Sequence, residues 1–219
     1  MLAPACRVWL RSQVSQVDSL QVDIQGGSRQ ILGGTIPRVA VVAVGAIYQG
    51  LSLGSIDLVA EHIQINLPQV LKGKPLKLLA PIAVMATVKF NEADLQTSLA
   101  SPLLTQAITD LFSQILGSDG DRTQWSIDWQ QLQLVPRTLI LQGNLTIDRQ
   151  TVPIAVSMGI AIEQGHILDI NPLKIDCAIA LPGSDIHSYQ IDLGDDVNIT
   201  QLDLLTGSLL CQGHIQVNP

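Results

Sequence analysis

The chain has 219 residues, enough for one domain with a sizeable core; 47% are apolar and only 14% carry a charge, so polar faces must be built from Gln, Ser, Thr and Asn. A net charge of −7, no long basic run and 3% aromatic residues remove the electrostatic and stacking sources of nucleic-acid binding. The same acidity excludes adhesion to an anionic membrane by charge alone, so any peripheral membrane contact has to rest on apolar surface.

Leu2, Ala5, Cys6, Trp9, Leu10, Val14 and Val17 fall at helical spacing, which predicts an amphipathic N-terminal helix over residues 3–17. Arg7 and Arg11 interrupt the apolar stretch that a secretory signal needs, and Ala3-Pro4-Ala5-Cys6 has too short a leader for lipoprotein processing. The chain as written is therefore expected to be soluble, cytoplasmic or peripherally membrane-associated, and periplasmic if the true start lies upstream. Mixed strands are expected over residues 18–90. Leu20, Val22 and Ile24 alternate with polar residues up to Gly26-Gly27. Residues 39–56 are uncharged but broken by glycines and rich in β-branched side chains, which reads as strand, turn, strand, not as a transmembrane helix. Val39 to Ile47 is apolar on both faces and is expected to be central in a sheet. Ile56, Leu58, Ile63, Ile65 and Leu67 alternate with more polar neighbours, and Ile82, Val84, Ala86, Val88 and Phe90 do so again after a Lys72-Gly73-Lys74-Pro75 loop.

The clearest helical signal covers residues 92–116. Asn91 is placed as N-cap with Asp94 three residues on, as in a capping box, and Leu95, Leu99, Leu103, Leu104, Ile108, Leu111, Phe112 and Ile115 form one face. Pro102 after Ser101 predicts a break, with a short helix before it and a longer one after. Antiparallel strands are expected over residues 124–217. Among them, Val152, Ile154, Val156, Met158 and Ile160 alternate with small residues from Pro153 to Ala161, turning at Gln164-Gly165, and a loop is expected at residues 182–188.

No motif carries chemistry in a fitting context. Gly50-Leu51-Ser52-Leu53-Gly54 has the spacing of a hydrolase nucleophile elbow, but the residues after it alternate like a strand instead of opening a helix. His62, His166, His187 and His214 stand singly, and Asp195-Asp196 with Asn198 lacks the spacing of a calcium loop, so neither a metal nor a cofactor is indicated. Cys6, Cys177 and Cys211 read as small buried hydrophobes, with a Cys177–Cys211 bridge open in an oxidising compartment. Asn144-Leu145-Thr146 and Asn198-Ile199-Thr200 fit the glycosylation pattern. Lys72, Lys74 and Lys77 make the one local basic excess, an ordinary solvated loop or contacts for a lipid phosphate.

Several segments carry a family likeness: Leu10-Arg11-Ser12-Gln13-Val14, Gln30-Ile31-Leu32-Gly33-Gly34, Ile47-Tyr48-Gln49-Gly50-Leu51, Val70-Leu71-Lys72-Gly73-Lys74-Pro75-Leu76, and Ala93-Asp94-Leu95 followed by Ser101-Pro102-Leu103-Leu104. Together they resemble the LmeA-like phospholipid-binding family in the form carried by cyanobacteria, closely in the first half and by strand pattern in the second. The resemblance implies a single α+β domain over residues 1–219, an elongated curved antiparallel sheet around amphipathic helices comparable to tubular lipid-binding folds. It further implies phospholipid or another acyl lipid as ligand, a role in membrane-lipid homeostasis, and no catalytic residues.

Three functions are carried forward. The first is non-enzymatic lipid binding or transfer in an apolar groove walled by the helix residues Leu95, Leu99, Leu103, Leu104, Ile108, Leu111, Phe112 and Ile115 and the strand residues Val152, Ile154, Val156, Met158 and Ile160, although the same stripe would serve as plain core. The second is an assembly factor binding another protein through an exposed apolar face. The third is a serine hydrolase using Ser52. The oligomeric state has no signature in the sequence.

Overall fold

The computed structural model describes residues 10–12, 14–70, 72–115, 125–147, 149–179, 181 and 187–219. Its elements in chain order are β1 (Ser19–Gln25), α1 (Ser28–Leu32), β2 (Thr35–Tyr48), β3 (Leu51–Gln64), α2 (Leu67–Val70), β4 (Ile82–Asn91), α3 (Glu92–Thr97), α4 (Pro102–Ile115), β5 (Trp125–Val135), β6 (Thr138–Ile147), β7 (Gln150–Glu163), β8 (Ile167–Cys177), β9 (Tyr189–Asp192), β10 (Val197–Leu205) and β11 (Ser208–Val217). This is the expected α+β, antiparallel architecture, with the strands divided between two open sheets. The first runs β1-β2-β3-β4-β11-β10 and the second β5-β6-β7-β8-β9.

Tight turns join neighbours where the sequence supplies left-handed residues. Gln49 (φ 49°) and Gly50 (φ 81°) close the β2–β3 hairpin between Tyr48 and Leu51, the two-residue geometry whose twist matches the strands. The long excursion from β4 through both helices and the whole second sheet returns as β10 and β11, and β11 pairs with β4 over ten residues from Ile82–Val217 to Asn91–Ser208.

Among the described residues three packed clusters result. The largest joins α3, α4 and the second sheet around Phe112, Leu141, Leu145, Val156 and Leu173, all without exposed surface. A second, of Ile36, Ile63, Ile65 and Leu67 with Ile31 and Leu78 against it, closes the opposite end of the first sheet beneath α1 and α2. A third gathers Val17, Ala43 and Ala46.

Several expectations change. Residues 10–12 are helical, but the helix expected to reach Val17 does not: Gln16 bridges Ile47, and the Ser15 N–H donates to the Ile47 carbonyl at 2.8 Å. Extension of the β2 edge satisfies these backbone groups instead; residues 3–9 lie outside the described residues. Asn91 occupies the N-cap position, but its side chain donates to the Asp94 carboxylate (3.1 Å) and accepts from no helix N–H, so the capping box is not formed. Leu67 opens a helix in place of continuing the β3 alternation, and α1 was unforeseen. β2 is interior to its sheet, yet Val42 and Val44 on its second face are 38% and 45% exposed, because among the described residues no layer covers those two side chains. Cys177 and Cys211 are free and half-buried, on different sheets, not fully buried. Residue 116, residue 124 and most of the loop expected at 182–188 lie outside the described residues.

Candidate functional site

The break at Pro102 is present, and it aims two short amphipathic helices onto the second sheet. Leu95 and Leu99, Ile108 and Phe112 from α4, and Ile154, Val156 and Met158 from β7 meet in one cluster, each at most 9% exposed. The Phe112 and Trp129 rings sit 5.3 Å apart at 49°. Leu104, Leu111, Val152 and Ile160 pack half-buried against this cluster, Leu103 is half-buried, and the side chain of Ile115 lies outside the described residues. Helix stripe and strand thus come together as interdigitated side chains.

The basic residues do not join them. Ser52, at the start of β3, donates its N–H to Ser98 Oγ beside the helices (2.8 Å), whereas Gln64 at the other end accepts from Leu79 N–H (2.8 Å) in the segment that carries Lys72, Lys74 and Lys77. Twelve residue steps along β3 separate the two ends, about 40 Å at ~3.3 Å each. Ser52 itself stands in a β-hairpin, paired with Ile47, and not on a strand-to-helix elbow. Among the described residues no three of His, Cys, Asp and Glu gather as a metal-ligand set. A cleft of about 330 Å³ lies on the second sheet, but Gln130, Gln142, Asn144 and Asp176 line it, which suits water better than hydrocarbon.

The surface that does suit hydrocarbon lies on the first sheet. Register aligns its residues in three cross-strand rows of six: Ile24–Val39–Ala60–Val84–Ile215–Val197, Val22–Val41–Leu58–Ala86–Gly213–Ile199, and Leu20–Ala43–Ile56–Val88–Cys211–Leu202. None is charged or carries a hydrogen-bonding oxygen or nitrogen in its side chain. Because successive residues point to opposite faces, the interleaved rows carry the polar groups, as in Gln21–Val42–Asp57–Thr87–Gln212–Gln201. Most of the apolar rows are only half-buried, and Ile215 is 46% exposed. Among the described residues the middle row belongs to none of the three packed clusters. At its centre Ala86 and Gly213 leave a shallow path between larger neighbours. Gly213 is required there: a Cβ would stand 2.5 Å from the Asn198 carbonyl at the β10 bulge. At one end the face runs into the main cluster through Phe90, Leu204 and Leu209.

A family model described as LmeA-like phospholipid-binding matches residues 2–214. The chain belongs to this family. Comparison with curated proteins and with solved structures gave no match. The LmeA-like match extends through the second half, where the sequence motifs alone offered only a strand pattern. No helix among the described residues of this LmeA-like chain is long and apolar enough to cross a membrane. The residues of the middle row were missed as a site because each strand shows only its own alternation. That Leu58, Ala86 and Gly213 are neighbours follows from two strand pairings, the second of which joins segments more than a hundred residues apart.

Proposed function

We propose that this LmeA-like chain holds phospholipid without catalysing a reaction, with an acyl chain lying along the three apolar rows of the first sheet and its end directed at the closed cluster of α3, α4 and β7. On this reading Leu95, Leu99, Ile108, Phe112, Ile154, Val156 and Met158 form the end wall, while the half-buried Leu103, Leu104, Leu111, Val152 and Ile160 are candidate rim contacts. The two sheets act as one unit. The observation that carries the reading is the middle row of that face, six strands wide with no polar side chain and outside all three packed clusters of the described residues, between two rows that are mostly half-buried. Hydrocarbon fits such a face without any motif, since its burial is non-directional and gains about 0.8 kcal/mol per methylene, on the order of 12 kcal/mol gross for a common fatty chain before ordering costs.

The test is native mass spectrometry with solvent extraction of the purified protein, on wild type and on Ala86→Glu. The wild type should carry stoichiometric phospholipid. The variant places a carboxylate under the chain, where desolvation costs several kcal/mol, and should retain at least a hundredfold less. A lipid-free wild type, or a variant loaded as fully as wild type, overturns the assignment.

A further inference from the structure

The end of the first sheet opposite the helices has a surface unlike the rest of the molecule. Leu32 (62%), Leu79 (59%) and Leu76 (58%) are the three most exposed large apolar side chains among the described residues, and all three stand there. Leu32 ends α1, and Leu76 and Leu79 belong to the segment that follows α2. The two parts share the cluster of Ile31, Ile65, Leu67 and Leu78. Arg29 lies in α1 with Leu32, and Lys72, Lys74 and Lys77 lie in the segment that carries Leu76 and Leu79, all four exposed. They are four of only twelve basic residues in a chain of net charge −7. No acidic residue occurs between Asp23 and Asp57 or between Glu61 and Glu92. Asp23 accepts from Gln25, Glu61 pairs with Arg38 at 3.9 Å, and Asp195 and Asp196 lie beyond β11 at the β10 corner.

The segment is held in shape, not left to trail. Asn66, 5% exposed, accepts from Lys77 N–H through Oδ1 (2.8 Å) and donates through Nδ2 to the Pro75 carbonyl (3.0 Å). Ile65 bridges Leu78, so Leu78 turns inward while its neighbours Lys77 and Leu79 turn out. Exposed leucines and lysines sharing one scaffolded segment match the interface of an anionic bilayer: apolar side chains enter the acyl boundary and ammonium groups meet phosphates at the level above.

We propose that this end is a docking tip for an anionic phospholipid bilayer. The proposal rests on the reading of the first sheet as the lipid-holding face, because β4 and β11 bring that face to the tip at Ile82 and Val217, so that docking would set the acyl path against the membrane.

Vesicle sedimentation tests it, with phosphatidylcholine alone and with about a third phosphatidylglycerol. Wild type should sediment with the anionic vesicles and be released by salt. Lys72→Gln, Lys74→Gln and Lys77→Gln together should weaken partitioning about a hundredfold, at roughly fivefold per lysine, and Leu32→Ser with Leu76→Ser and Leu79→Ser should abolish it. Both tip variants should keep bound lipid by native mass spectrometry, while Ala86→Glu should lose lipid yet still sediment. Equal sedimentation of wild type with neutral and anionic vesicles, no sedimentation at all, or tip variants that sediment like wild type would each overturn the proposal, whatever the lipid content shows.

Discussion

β5 is an edge strand, and the side chains of α3 complete it. The Leu134 N–H donates to Glu92 Oε2 and the Leu132 N–H to Gln96 Oε1, both at 2.6 Å, while Gln96 Nε2 donates to the Gln130 carbonyl at 2.7 Å. One helical turn separates Glu92 from Gln96, so both reach the same edge. Leu132 and Leu134 are 4% and 2% exposed, and truncating either partner leaves a shielded N–H without an acceptor. Glu92→Ala, which removes a charge-assisted bond, should cost about 1.5–3 kcal/mol, and Gln96→Ala about 1–2 kcal/mol. For a chain of this length, 2 kcal/mol corresponds to a fall in Tm of about 4 °C. Glu92→Gln keeps an acceptor and should lose less than Glu92→Ala. Differential scanning calorimetry and urea unfolding measure the series, with the exposed Glu163→Ala as reference. Because α3 also packs on β3 and β4, the clamp sets how the second sheet meets the apolar rows, so the double variant should hold less lipid as well. A Glu92→Ala protein as stable as Glu163→Ala would refute the clamp.

Two further outcomes follow from particular side chains. Burial raises the Cys211 thiol above its ordinary value, so the folded state keeps its proton longer than the unfolded chain. That contribution to stability is constant below the ordinary thiol pKa and is lost as pH climbs through the raised one. In a Cys6→Ser, Cys177→Ser background, iodoacetamide should therefore modify folded Cys211 more slowly at pH 8 than the denatured chain, and bound lipid should slow it again; equal rates with and without lipid would contradict its place under the acyl path. Phe112 has no exposed surface, and Phe112→Ala should cost about 3–5 kcal/mol, or roughly 7–11 °C in Tm. A loss under 1 kcal/mol in calorimetry would show that the helix stripe is not packed as described.

Legibility followed the range of the interactions. The alternation of Ile82, Val84, Ala86, Val88 and Phe90 and the break at Ser101-Pro102 are local consequences of side-chain direction and of a missing N–H, so they stood in the sequence. The helix stripe was equally legible, but whether it lined a groove or a core depended on how closely β7 approached, and the structure fills that space with Phe112, Val156 and Met158. Residues 14–17 show the converse. Their helical spacing was genuine, yet an open β2 edge offered Ser15 and Gln16 backbone partners at Ile47 that a short helix end could not match.

What the alternation left open is how deeply an apolar side is buried, and the low charge content bears on that. A sheet with one half-buried apolar face needs a back face polar enough for water but not so charged that its self-repulsion strains the strands. Neutral donors and acceptors such as Gln21, Thr87, Gln212 and Gln201 meet that need, with Asp57 the one charge in their row. The scarcity of charge that first marked this sequence is thus the complement of its apolar rows. Concentrating a third of the basic residues at the α1–α2 end, where Leu32, Leu76 and Leu79 are exposed, places a local excess of positive charge where the half-buried face reaches the end of the first sheet.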